Sequence, residues 1–98
     1  MRVEFEGTVF RWEARVEDWF FVALPGDLSA QIGEIPRMRR DFGAVRVQAR
    51  IGGSSWTTSI FPDSAAGAYI LPLKRAVRDA EGLALDRTVS VRLEIADG

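Results

Sequence analysis

A Leu-Pro dipeptide occurs twice in the chain, and each time it separates an apolar strand pattern from a helical pattern. Leu24-Pro25 follows an apolar run that begins at Trp19, and Leu71-Pro72 follows a second apolar run. After each dipeptide come a short helical stretch and then a strand of strict alternation, at 45–51 and 89–95. Because the same elements recur in the same order, we interpret the pattern as an internal duplication.

One further strand pattern completes each half. Val3 to Trp12 begins by alternating apolar with mostly charged residues. Trp56 to Phe61 follows Gly52-Gly53, a dipeptide suited to the positive φ angles of a hairpin turn, and we expect Pro62 to end this strand. The repeat therefore spans approximately residues 2–51 and 54–96, within a single domain of residues 1–98.

A short helix is predicted in each half. The first has Asp27 as its N-cap. The second starts from Pro72 and ends at Gly82, and Arg75 and Asp79 can pair across one of its turns. The apolar face of the second helix consists of Leu73, Ala76, Val77 and Ala80.

Strand patterns that outnumber helices predict a mainly β fold. Neither half can bury its apolar face alone, so we expect the two halves to close into one pseudo-twofold β-barrel. This barrel would have about six to eight short strands, with the two short helices capping its open ends. Closure would leave no exposed strand edge.

Two resemblances rest on these segments. Leu71 to Leu83, with the final strand, resembles the Pro-helix-hairpin unit of AbrB-like regulators and MazE-like antitoxins, which form swapped-hairpin barrels as dimers. The whole chain resembles the bacterial family of domain of unknown function 1905, through Phe5-Glu6-Gly7 and the segments 19–25, 42–47, 56–62 and 69–74. This resemblance implies a double-split β-barrel, in which one chain does what two chains do in the AbrB-like dimers.

The turn before the last strand departs from the pattern of that family. The family usually has Gly-Asp there, whereas this chain has Asp86-Arg87. Aspartate tolerates the left-handed backbone conformation better than most other residues with a side chain, so we expect the turn to be kept.

The composition excludes several classes of site. The chain contains neither histidine nor cysteine, so it can form no disulfide, thiolate zinc site, cysteine nucleophile or imidazole base. Its 13 basic and 14 acidic residues leave a formal net charge of −1, which argues against a general nucleic-acid binder. We expect no catalytic residue, metal or cofactor. A serine paired with Lys74, the only lysine, is the weakest alternative.

Basic and aromatic side chains are the candidate ligand-binding residues. Guanidinium and ammonium groups suit phosphate or carboxylate, and aromatic rings can line a pocket or a contact patch. The alternative interpretations are a solvated surface for the cations and core packing for the rings. The candidates are Arg37, Arg39, Arg40, Arg46, Lys74, Arg78, Trp12, Trp56 and Tyr69.

The sequence favours a non-catalytic binding or interaction module that takes a small anionic ligand or a partner protein. A monomer in the cytoplasm is the expected form, because the duplication replaces a second subunit and no signal peptide or membrane span is evident. A DNA-associated regulator or antitoxin-like protein is the alternative, and it rests on the AbrB-like resemblance alone.

Overall fold

A computed structural model describes residues 1–12, 19–34 and 43–95. In these ranges the elements follow the predicted order of strand, strand, helix and strand, twice over. They are β1 (Arg2–Trp12), β2 (Trp19–Ala23), α1 (Gly26–Glu34), β3 (Val45–Ile51), β4 (Ser54–Asp63), β5 (Ala68–Pro72), α2 (Arg75–Glu81) and β6 (Thr88–Ile95).

The six strands close into one barrel in the order β1-β2-β5-β4-β3-β6, and all neighbouring strands are antiparallel. The prediction of a mainly β barrel with two helices is confirmed. Neither of the helices in the described ranges has the length and apolar content needed to cross a membrane.

Two strands change neighbours along their length. β1 pairs with β6 through residues 2–8 and with β2 through residues 9–12. β4 pairs with β3 through residues 54–60, and β5 joins it only at Phe61, Pro62 and Asp63. Each of these long strands therefore contributes to two parts of the barrel wall.

Strict alternation in β3 and β6 produces the core. The inward residues of both strands are buried and every residue between them is exposed, as the period of two predicts. β2, which lies in the apolar run that begins at Trp19, is covered on both faces, because the side chains of Phe21 and Val22 are both fully buried. Val22 points into the barrel, and Phe21 lies on the outer face against Trp12 and Phe61.

Two prolines lie inside strands, so the predicted ends at these prolines are wrong. β4 continues through Pro62 to Asp63, and β5 includes Pro72. Pro62 is tolerated because β3 stops pairing at Ile60, and no β3 carbonyl opposite Pro62 needs an N–H. Pro72 is the last paired residue of β5, at the point where the chain leaves the sheet.

The helices differ from the prediction at their starts. Lys74 is the extended N-cap of α2, so Leu73 belongs to the connection and not to the helix. Leu73 and Val77 are buried, but Ala76 and Ala80 are exposed, and the predicted apolar face is therefore only half right. α1 begins at Gly26, which places Asp27 in its first turn and not at the N-cap.

The predicted turn chemistry is confirmed at three positions. Gly82 ends α2 with a left-handed φ of 64°, and Gly52 in the β3–β4 turn has a φ of 58°. Asp86 has a φ of 68°, so aspartate does adopt the left-handed conformation in the turn that departs from the family pattern. The Arg75–Asp79 pair also forms, at 4.0 Å.

We predict that Gly7→Ala destabilises the barrel by about 1–3 kcal/mol, because an added methyl group overpacks a filled site. A Cβ on Gly7 would overlap Cγ1 of Val22 and lie 3.1 Å from the carbonyl oxygen of Ala23. Urea unfolding measures the decrease in the free energy of unfolding. Gly53→Ala is the control, since its Cβ would meet no described atom within 4 Å. An equal effect of both substitutions would contradict this packing.

Candidate binding groove

An open groove of about 680 Å³ lies where β5 leaves the sheet. The start of β2, the first half of β4 and α2 form its walls. The N–H of Leu73 donates to the carbonyl of Phe20 at 2.9 Å, and this bond holds the chain beside β2 as it turns into α2. The groove volume is within the range of small-molecule sites.

Arg78 is the most constrained cation of the groove. Its guanidinium carbon lies 4.1 Å from the centroid of the Phe20 ring, and its Nε donates to the carbonyl of Leu73 at 3.1 Å. The ring stabilises the cation through its π face, and the hydrogen bond fixes the side chain. Neither contact uses the two terminal nitrogens of the guanidinium.

The described residues of the groove lining carry a net positive charge. Lys74 and Arg75 are exposed on the same wall as Arg78, and Asp79 is the one carboxylate among the lining residues that the structure describes. Asp79 pairs with Arg75 at 4.0 Å, but both side chains are largely exposed, so this pair is weak. An anion entering the groove therefore meets an excess of cations.

Aromatic rings and hydroxyl groups line the other walls. Trp19 is 52% exposed at the mouth, whereas Trp56 is only 7% exposed and belongs to the core. Thr57 and Thr58 follow Trp56 along β4. The groove thus offers one large accessible ring together with neutral hydrogen-bonding groups.

The structure brings three of the predicted site residues together and separates the others. Lys74, Arg78 and Trp56 line the groove. Arg46 lies on the outer face of β3, in a shallow depression that shares Thr57 with the groove. Arg37, Arg39 and Arg40 lie outside the described residues.

Two predicted aromatic residues lie elsewhere. Trp12 is 40% exposed and lies on the outer face of the barrel, with its ring centroid 4.5 Å from that of Phe21. Tyr69 lies beside the other helix, and its N–H donates to Oγ of Ser29 at 3.0 Å. The three aromatic candidates therefore do not form one surface.

The sequence prediction of the site missed Trp19, Phe20, Thr57 and Thr58. Trp19 and Phe20 begin a run in which every residue is apolar, so alternation could not indicate which of them faces the groove. The threonines have the pattern of an ordinary two-faced strand. The position of α2 against β4, which exposes these residues as a wall, has no local signal.

The far end of α2 is attached to the β3–β4 hairpin. Oγ of Ser54 donates to Oε2 of Glu81 at 2.6 Å, and the Glu81 carboxylate fills the space where a Cβ of Gly52 would lie. Beyond the helix, Nη1 of Arg87 donates to the carbonyl of Gly82 at 3.2 Å. α2 is thus held at both ends, which keeps the cationic wall in place.

We predict that Ser54→Ala lowers the free energy of unfolding by about 1–2 kcal/mol, because it removes a hydrogen bond to a charged group. Ser55→Ala is the matched control, because Ser55 is exposed, and it should change stability by less than about 0.5 kcal/mol. Denaturant titration compares the free energies of unfolding of the two variants with that of the unsubstituted protein. If the two variants are equally stable, the Ser54–Glu81 bond does not hold α2.

Comparison with known protein families matches residues 5–93 to the family described as Domain of unknown function (DUF1905). No curated protein matches the chain. The matched range begins within β1 and ends within β6, so it includes most of these two strands and all of the elements between them, with the groove. The chain belongs to the DUF1905 family.

Proposed function

We propose that the chain is a non-catalytic binding module whose groove takes an anionic group, carried by a small ligand or by a partner protein. The observation that carries this proposal is the fixed guanidinium of Arg78 on Phe20, with Lys74 on the same wall. Its terminal nitrogens have the fork geometry that suits a carboxylate or a phosphate.

Pre-organisation of Arg78 favours binding. A free arginine side chain loses up to about 2 kcal/mol of rotamer entropy when a ligand orders it. In this protein the Phe20 ring and the Leu73 carbonyl have already ordered Arg78. An incoming anion would therefore gain its interaction with little of that entropic cost.

We also propose that the barrel is a double-split, pseudo-twofold duplication. The repeat offset from Pro25 to Pro72 is 47 residues, and the same offset carries Val22 of β2 onto Tyr69 of β5. Val22 is paired with Val9, and Tyr69 is paired with Pro62. If the strand partners are equivalent too, this offset makes Val9 of β1 equivalent to Pro62 of β4.

The final strands of the two halves give an independent comparison, and it yields the same shift between β1 and β4. The final strands of the two halves are offset by 44 residues, which carries Val47 of β3 onto Val91 of β6. Val47 is paired with Thr58, and Val91 is paired with Phe5. This comparison therefore makes Phe5 of β1 equivalent to Thr58 of β4. Because both comparisons give the same shift between β1 and β4, the strand registers support the duplication as well as the sequence does.

Because one chain then supplies both halves, we expect it to act alone. We propose a cytoplasmic monomer, and light scattering should give a mass of about 10.9 kDa. A stable dimer at micromolar concentration would contradict the idea that the second half replaces a second subunit.

The difference between the two helices supports a binding role for the second half. α1 contains Asp27 and Glu34 and no cation, whereas α2 contains Arg75 and Arg78 and follows Lys74. Both helices pack on the same kind of barrel. The cations of α2 are therefore not required by the architecture, and a function in the groove explains them.

We predict that phenyl phosphate, used as a probe anion with a ring, shifts the amide resonances of residues 73–79. Lys74→Ala and Arg78→Gln should each raise its Kd about 3- to 10-fold, as expected for a charge-assisted hydrogen bond. Arg2→Ala is the matched control, because it removes one cation from β1, outside the groove lining.

Equal weakening by Arg2→Ala would mean that only the general field of the protein attracts the probe. Absence of any amide shift in residues 73–79 at millimolar concentrations of the probe would overturn the proposed function. The DNA-associated alternative has less support, because the groove contains Asp79 and the whole chain has a net charge of −1.

A further inference from the structure

One edge of β4 has no strand beside it in the described ranges. β3 pairs with residues 54–60 on one side, and on the other side β5 begins to pair only at Phe61. β5 itself leaves the sheet after Pro72. The groove runs along this stretch of β4, since Trp56, Thr57 and Thr58 line it.

The hairpin turn determines which backbone groups face the open edge. In a two-residue hairpin the flanking pair is hydrogen-bonded, so Ile51 and Ser54 exchange backbone bonds. Bonded and non-bonded pairs alternate along an antiparallel ladder. The backbone N–H and C=O groups of Ser55, Thr57 and Ser59 therefore point away from β3.

These three residues have no other backbone partner in the described part of the chain. Among the described backbone bonds outside regular elements, the one that involves β4 is at Asp63, and none involves β4 between Ser54 and Ile60. Unpaired N–H and C=O groups in a row are a template for another strand.

The corresponding stretch of β1 is protected, whereas β4 is not. Arg2, Glu4 and Glu6 place charges along β1, and Glu4 pairs with Arg92 at 2.7 Å. Charged side chains on an edge oppose the pairing of a further strand. The matching outward residues of β4 are serine and threonine, which carry no charge.

We propose that this edge of β4 accepts an extended, acidic peptide segment of a partner protein as an added strand. The inference rests on the proposed function of the groove and names its ligand. Alternate backbone groups of the peptide would bond to Ser55 and Thr57, and its carboxylates would face Lys74 and Arg78 across the groove. Charge complementarity selects an acidic segment over a basic one.

Amide hydrogen exchange tests whether the edge is open in the free protein. The N–H groups of Ser55 and Thr57 should exchange at least about tenfold faster than those of Trp56 and Thr58, which β3 holds. If the amide of Thr57 is protected as strongly as that of Thr58, the edge is already covered and the proposal is overturned.

A synthetic peptide tests strand addition directly. The probe is acetyl-Thr-Glu-Val-Glu-Thr-Glu-amide, and its matched control carries N-methyl groups on alternate amides, which keeps the charge and removes the donors. The unmodified peptide should slow exchange at Thr57 and bind about tenfold or more tightly than the control, as expected for two lost backbone bonds. A version with lysine in place of glutamate should bind at least about tenfold more weakly.

The outcomes separate this inference from the proposed function. If both acidic peptides bind equally and Arg78→Gln weakens both, strand addition is wrong and the anion groove stands. If phenyl phosphate binds and neither acidic peptide does, strand addition is again wrong and the anion groove stands. If neither phenyl phosphate nor the acidic peptides bind, both proposals are wrong.

Discussion

The backbone of Leu73 connects the elements on which the groove depends. Its N–H bonds to Phe20 of β2, its carbonyl accepts from Nε of Arg78, and its side chain is buried in the barrel. A single residue thus sets where β5 leaves the sheet, how α2 approaches the barrel and where the guanidinium lies. The Arg78–Phe20 contact follows from this arrangement, because both partners are attached to the backbone of the same residue.

Local patterns predicted the elements of the fold, and long-range pairing decided their ends. Alternation was sufficient for β3 and β6, and left-handed turns were predictable at Gly52 and Asp86 because few residues tolerate that conformation. Pro62 was misjudged because its cost depends on whether β3 still pairs beside it. Lys74, Arg78 and Trp56 of the site were predictable from residue type, whereas the placement of Trp19 and Phe20 in the groove depends on α2.

The two halves of the barrel use their helices differently. Ser29 of α1 is buried and its hydroxyl accepts the N–H of Tyr69, so the first helix completes the backbone bonding of β5. α2 lies beside the part of β4 that β5 does not reach, and it leaves a groove there. One helix therefore contributes to closure of the wall, and the other lies where the wall is incomplete.

The contact between Gly52 and Glu81 couples the hairpin to the far end of α2. Any side chain at position 52 would occupy the space of the Glu81 carboxylate and would also be strained at a φ of 58°. The Glu81 carboxylate would then have to turn away from the hairpin, and the hydrogen bond that it accepts from Ser54 would be lost. The backbone conformation of a solvent-exposed turn in this way decides whether α2 keeps its attachment to the β3–β4 hairpin.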